Sequence, residues 1–162
     1  MRSGPMLKHI KGDLLALAER GKFDMIVHGC NCKNTMGSGI AKQIKDKYPE
    51  AYKADTEYDA LPYQKLGNFS RVKIYSSTNF TIVNAYTQYD YLPRGQDHFE
   101  YASFAVILQK LAHYWGNYDF GFPYIGMGLA GGDSECIISM LEEFAVLVEA
   151  KGGSTTLVEY VP

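Results

Sequence analysis

Met25, Ile26 and Val27 form an unbroken apolar run that empties into His28-Gly29-Cys30-Asn31. Such a run predicts a strand buried on both faces, with its carboxyl end opening into a loop. Upstream, a short mixed run from Leu7 to Lys11 stops at Gly12-Asp13, and Leu14, Leu15, Leu17 and Ala18 then fit one apolar helical stripe closed by Gly21. A strand, a turn and a short helix are expected there. Beyond Gly37 and Gly39 a helical pattern begins near Ile40 and runs toward Tyr48, where Pro49 interrupts it. The runs Phe69 to Tyr75 and Phe80 to Ala85, joined by Ser76-Ser77-Thr78-Asn79, read as an antiparallel hairpin.

Downstream, Tyr101, Phe104, Ala105, Leu108, Leu111, Ala112 and Trp115 recur at helical spacing and predict a long amphipathic helix. Phe120 to Ile125 reads as a strand and Gly126 to Gly132 as a second glycine-rich loop. Ile137, Leu141, Phe144, Ala145 and Val148 form the buried stripe of another helix, ended by Gly152-Gly153, and Thr155 to Tyr160 supplies a last strand. Strands alternating with helices predict an α/β fold, a three-layer α/β/α sandwich around a central mixed sheet. In such folds ligand loops leave the carboxyl ends of the strands.

Composition narrows this picture. A chain of 162 residues, 46% hydrophobic and 21% charged, suits one globular domain able to bury a core without staples. That domain is expected over residues 6–162. Residues 1–5 precede a second methionine, Met6, carry no apolar run, and read as an expression remnant or a floppy start rather than a signal peptide. No segment reads as a membrane span. The net charge of −2 supplies no broad cationic face for a nucleic-acid backbone, which makes a small ligand the first expectation. The three cysteines, Cys30, Cys32 and Cys136, cannot all pair, and Cys30-x-Cys32 lacks the spacing of a zinc site. A reducing, cytoplasmic setting, a monomer, and neither metal nor cofactor are expected.

Two loops carry the candidate chemistry: Met36-Gly37-Ser38-Gly39-Ile40, and Gly126-Met127-Gly128-Leu129-Ala130 with its continuation to Gly132. Glycine lets backbone approach a phosphate closely, and a following helix adds N–H donors and a favourable dipole. Either loop alone is equally well explained as a tight turn; the pair, in this order, suggests a diphosphate clamp. Neither carries the P-loop lysine or the G-x-G-x-x-G fingerprint, which disfavours nucleotide triphosphate hydrolysis and hydride transfer.

Five strings taken together, Lys11-Gly12-Asp13-Leu14-Leu15, Ile26-Val27-His28-Gly29-Cys30-Asn31-Cys32, Met36-Gly37-Ser38-Gly39-Ile40-Ala41, Ile82-Val83-Asn84-Ala85-Tyr86-Thr87-Gln88 and Gly126-Met127-Gly128-Leu129-Ala130-Gly131-Gly132-Asp133, resemble macro domains. The likeness is strongest to the branch of ADP-ribose-1″-phosphate phosphatases and hydrolases that remove ADP-ribose from carboxylates. It implies ADP-ribose or ADP-ribose-1″-phosphate as ligand, with ADP-ribosylated protein or nucleic acid as a further substrate class. Asp13 would accept from the adenine amino group beside the Leu14 backbone, Tyr160 would pack against adenine, and Asn31 would sit at the distal ribose as both a binding and a catalytic residue. His28 would serve as nucleophile or general acid, and Asp133 would activate water or orient His28.

Each residue also has a plainer reading. Asp13 and Asp133 suit helix N-caps, Asn31 an Asx turn, His28 a hydrogen-bonded strand end, and Tyr160 the surface or core. Arg94, in the loop from Thr87 to Asp97, suits a phosphate but equally a solvated charge. The lysine that the best-known carboxylate-linked ADP-ribose hydrolases use after the central strands has no counterpart around Asn84. Three readings stand: hydrolysis of ADP-ribose-1″-phosphate, removal of ADP-ribose from macromolecules, and a non-catalytic ADP-ribose reader.

Overall fold

A computed structural model of the chain describes residues 6–37, 39–90, 97–128 and 130–161. In chain order the elements are β1 (Leu7–Gly12), α1 (Leu14–Glu19), β2 (Met25–Asn31), α2 (Gly39–Lys47), α3 (Pro49–Thr56), α4 (Pro62–Lys65), β3 (Phe69–Tyr75), β4 (Asn79–Gln88), α5 (Tyr101–Trp115), β5 (Asp119–Phe122), α6 (Ser134–Glu149) and β6 (Ser154–Tyr160).

The strands form one six-stranded sheet in the order β1-β6-β5-β2-β4-β3. All neighbours are parallel except β3, which pairs antiparallel with β4 as the predicted hairpin, Phe69 opposite Ala85. The carboxyl ends of five strands therefore share one edge of the sheet, where a doubly wound fold gathers its ligand loops.

Side-chain alternation divides the core into two layers. Met25 and Val27 of β2 join Phe104, Leu108 and Leu111 of α5 and Ile137, Leu141 and Phe144 of α6. Ile26 and Cys30 face the other way, packing with Leu14, Leu15 and Ala18 of α1, Ile44 of α2 and Ala51 of α3. The result is the expected three-layer α/β/α sandwich with a mixed sheet. Among the described residues no helix is long and apolar enough to cross a membrane.

Two boundaries differ from the sequence reading. Pro49 ends one helix and occupies the first turn of α3, where its missing N–H removes nothing the helix needs. The strand expected from Phe120 to Ile125 stops at Phe122, because Pro123 cannot continue the ladder. The four residues from Pro123 to Gly126 thereby become cleft wall.

Candidate ligand site

A cleft of about 500 Å³ opens where β2, β4 and β5 end. Gly29 and Asn31 of β2 and Thr87 and Gln88 of β4 line its floor, with Thr35–Gly37 and Gly39–Ala41 on one side and Pro123–Gly126, Gly128 and Ala130 on the other. Gly29 keeps the floor low: a Cβ there would stand 2.9 Å from Thr87 Oγ1.

Local hydrogen bonds explain the first loop. Asn31 Oδ1 accepts from the Lys33 N–H at 2.8 Å, and its Nδ2 donates to Thr35 Oγ1 at 2.7 Å. The side chain therefore makes the Asx turn and also lines the cleft, so both readings of Asn31 are compatible. Asn34 and Met36 adopt left-handed backbone, φ 59° and 40°. The Met36 side chain is buried in the core, so its backbone is what the loop offers the cleft. Gly37, Gly39 and Ile40 line the cleft as α2 begins, directing the amino terminus of that helix toward it. Ser38 lies outside the described residues.

The second loop closes on itself through Gly132 N–H to Gly126 O at 2.7 Å and Gly131 N–H to Gly128 O at 3.0 Å. Gly126 has φ 75°, and any Cβ on it would strike the Phe99 ring. Gly128 and Ala130 line the cleft, whereas Met127 packs against the core. Leu129 lies outside the described residues, as does Arg94.

Asp13 and Tyr160 stand outside the cleft lining, further along the same sheet edge. Gly12 pairs with Tyr160, and Val161 N–H donates to Gly12 O at 3.1 Å, which brings the carboxyl ends of β1 and β6 together. Tyr160 is 55% exposed. Asp13 Oδ1 caps α1 by accepting from Leu15 N–H at 3.0 Å and Ala16 N–H at 3.1 Å, and Leu14 is buried.

The expected histidine–aspartate pair is not assembled. His28 shares the face of β2 with Ile26 and Cys30, is 1% exposed, and does not line the cleft. Its Nε2 lies 2.6 Å from Asn84 Oδ1. Burial drives its pKa down to about 4, the Asn84 hydrogen bond opposing the shift. This is a neutral imidazole donating through Nε2, sealed from solvent. Asp133 is exposed, lies on the other side of the sheet as the N-cap of α6, and likewise does not line the cleft. Its Oδ1 accepts from Glu135 N–H at 3.0 Å and Cys136 N–H at 3.4 Å, and its own N–H donates to Tyr101 Oη at 2.9 Å. Both cap bonds fall on one oxygen, so the cap does not occupy the other.

Sequence reasoning did not single out Thr35, Pro123 or Tyr124 as lining residues: Thr35 lies four residues beyond the end of β2, and Pro123 and Tyr124 fall within the run read as a strand. It also missed the buried polar chain that starts at His28. Among the described residues no group of three or more His, Cys, Asp or Glu side chains could hold a metal ion.

No family model matches the sequence. The chain is 34% identical over 152 residues to the uncharacterized 17.5 kDa protein of the tk-vs intergenic region of Enterobacteria phage T4, covering 89% of this chain and 93% of that one. It is 29% identical over 147 residues to the ADP-ribose 1″-phosphate phosphatase of Candida albicans, covering 86% of this chain and 94% of the relative. The Trypanosoma brucei macrodomain, solved in complex with ADP-ribose, shares the fold with a TM-score of 0.69 at 13% identity, over 96% of this chain and 63% of that one. The near full-length relatives, the sheet order and the two glycine loops agree: the chain belongs to the macro domain family.

Proposed function

We propose that the cleft binds ADP-ribose and that the protein hydrolyses ADP-ribose-1″-phosphate to ADP-ribose and inorganic phosphate. The observation that carries binding is the pair of glycine-bearing loops facing one another across a cleft of about 500 Å³. A diphosphate between them meets backbone from both sides and the amino terminus of α2 from one. Adenine then extends toward Asp13 and Tyr160 at the ends of β1 and β6, and the distal ribose toward Asn31. The name of the Candida albicans relative and the ligand of the Trypanosoma brucei macrodomain both support this ligand class.

For hydrolysis, the Asp133 carboxylate takes a proton from a water whose oxygen attacks phosphorus. The bond from phosphorus to the C1″ oxygen breaks, and that oxygen leaves with a proton from solvent. The burial of His28 removes it from contact with substrate, so its contribution is to hold β2 in place. That same burial favours a second reading, a reader that binds ADP-ribose without turnover.

Asp133→Asn separates these readings, because asparagine keeps the N-cap and loses the base. Phosphate release from ADP-ribose-1″-phosphate is expected to fall about 100-fold in the variant, while calorimetric affinity for ADP-ribose stays near that of the parent. Release of ADP-ribose from modified protein and DNA, run beside it by chromatography, assigns the linkage. Binding without turnover on any of them identifies a reader, and absence of binding rejects both readings.

A further inference from the structure

Beneath the first loop of the cleft lies a directed chain of buried polar groups that hydrolysis does not use. His28 donates to Asn84 Oδ1 at 2.6 Å, and Asn84 Nδ2 donates to Ser70 Oγ at 3.0 Å. The Ser70 and Tyr86 hydroxyls are 2.7 Å apart, and Tyr86 Oη donates to Asp55 Oδ1 at 2.8 Å. Lys65, at the end of α4, donates to that same carboxylate oxygen at 3.1 Å and to the Asp55 carbonyl at 3.4 Å. Its third hydrogen bond goes to Asn34 Oδ1, in the loop that forms the cleft wall. Asp55 is fully buried and Lys65 is 2% exposed.

A lysine ammonium has three donors, and these three acceptors match them. The geometry points to Lys65 as a positioning residue for the ligand, acting through Asn34. Three features support it. Lys65 is absent from the cleft lining, so it does not touch what binds there. Asn34 and Met36 are the two non-glycine residues with positive φ among those described, and they bracket Thr35, which lines the cleft. Asparagine adopts such backbone readily, but at Met36 it persists only where surrounding contacts over-determine it. Finally, a buried ion pair is weak evidence of a stability role, since apolar replacements of similar volume are often neutral or stabilising. Here the pair spans from α3 and α4 to the loop, with the ammonium 4.3 Å above the Tyr86 ring centroid, and its consequence is the shape of Thr35 to Gly37.

This role rests on the reading of the cleft as an ADP-ribose site, and the test keeps the two apart. Two variants remove the contact without stranding a buried charge: Asn34→Gly, which tolerates positive φ, and the double substitution Lys65→Met with Asp55→Leu, which removes both charges. Both are expected to melt cooperatively, to weaken ADP-ribose binding about tenfold, and to speed amide exchange at Thr35, Met36 and Gly37 by a similar factor. Combined, they are expected to do no more than either does alone. Parent-like affinity and exchange in Asn34→Gly, or additive effects in the combination, would overturn the assignment. Should the double substitution fail to fold, Asn34→Gly alone carries both readouts. If the parent protein does not bind ADP-ribose the functional reading fails, and the exchange rates still decide whether Lys65 shapes the loop.

Discussion

Lowering the pH from 7 to 5 should cost the protein about 2 kcal/mol of folding stability through His28 alone. The cause is the environment of the ring. Nε2 donates to Asn84 Oδ1, and the Asn84 amide is fixed in turn by its donations to Ala51 O and Ser70 Oγ, both at 3.0 Å. A second proton would sit on Nδ1, whose neighbour is the Cys30 Sγ at 3.8 Å, a poor acceptor. Burial therefore holds the folded pKa at about 4 against an ordinary 6.5. The unfolded chain takes the proton first, so this stability is complete above pH 6.5 and is lost as the pH falls toward 4. At pH 5, about 1.5 units into that window, about 1.36 kcal/mol per unit gives the stated loss. Urea denaturation of the parent and of His28→Gln at pH 7, 6 and 5 measures it, since every other ionisable group is common to the two proteins and cancels. Parallel decline of the two, or a His28 ring titrating near 6.5 by NMR in the folded protein, would refute the reasoning.

Asp13→Asn distinguishes a cap from a base reader. Asparagine preserves the cap, so stability should change by no more than about 0.5 kcal/mol, while calorimetric affinity for ADP-ribose falls about tenfold because an amide NH2 replaces the acceptor meant for the adenine amino group. In the second glycine loop, Gly126→Ala meets both a φ of 75° and the Phe99 ring, and should lower stability by about 1–3 kcal/mol in thermal melts. Gly128→Ala has nothing within 4 Å, so it should melt like the parent and lose affinity only by crowding the ligand.

The amount of this structure that can be read from the chain depends on how strongly each segment repeats. β2 and the stripes of α5 and α6 announce themselves because their apolar residues bury a continuous surface, and the hairpin because two β-runs flank a polar turn. α3 does not: its buried residues are Ala51 and Asp55, and a buried aspartate looks like a surface residue until its partners are known. Those partners, Lys65 and Tyr86, lie 10 and 31 residues away, with no local signal linking them. The glycine loops were readable as phosphate-type loops, but their facing one another depends on β5 and β2 being sheet neighbours, and β5 is only four residues long.

His28 shows most clearly how a motif can mislead by one residue. It stands next to Gly29, which forms the cleft floor, and three residues before Asn31, which also lines it. Proximity in sequence suggests a shared site, but side chains alternate along a strand, and the step that turns Asn31 toward the ligand turns His28 toward Asn84. β2 thus gives Gly29, Cys30 and Asn31 to the cleft, its register shifting between Cys30 and Asn31, and gives His28 to the buried chain leading to Lys65. Loss of activity on replacing His28 would therefore not by itself identify a nucleophile, because disturbing Asn84 reaches the cleft wall through Asp55, Lys65 and Asn34. The discriminating comparison is between affinity and turnover: a reactive imidazole would lower kcat with ADP-ribose binding intact, whereas a structural one lowers affinity and loop protection together.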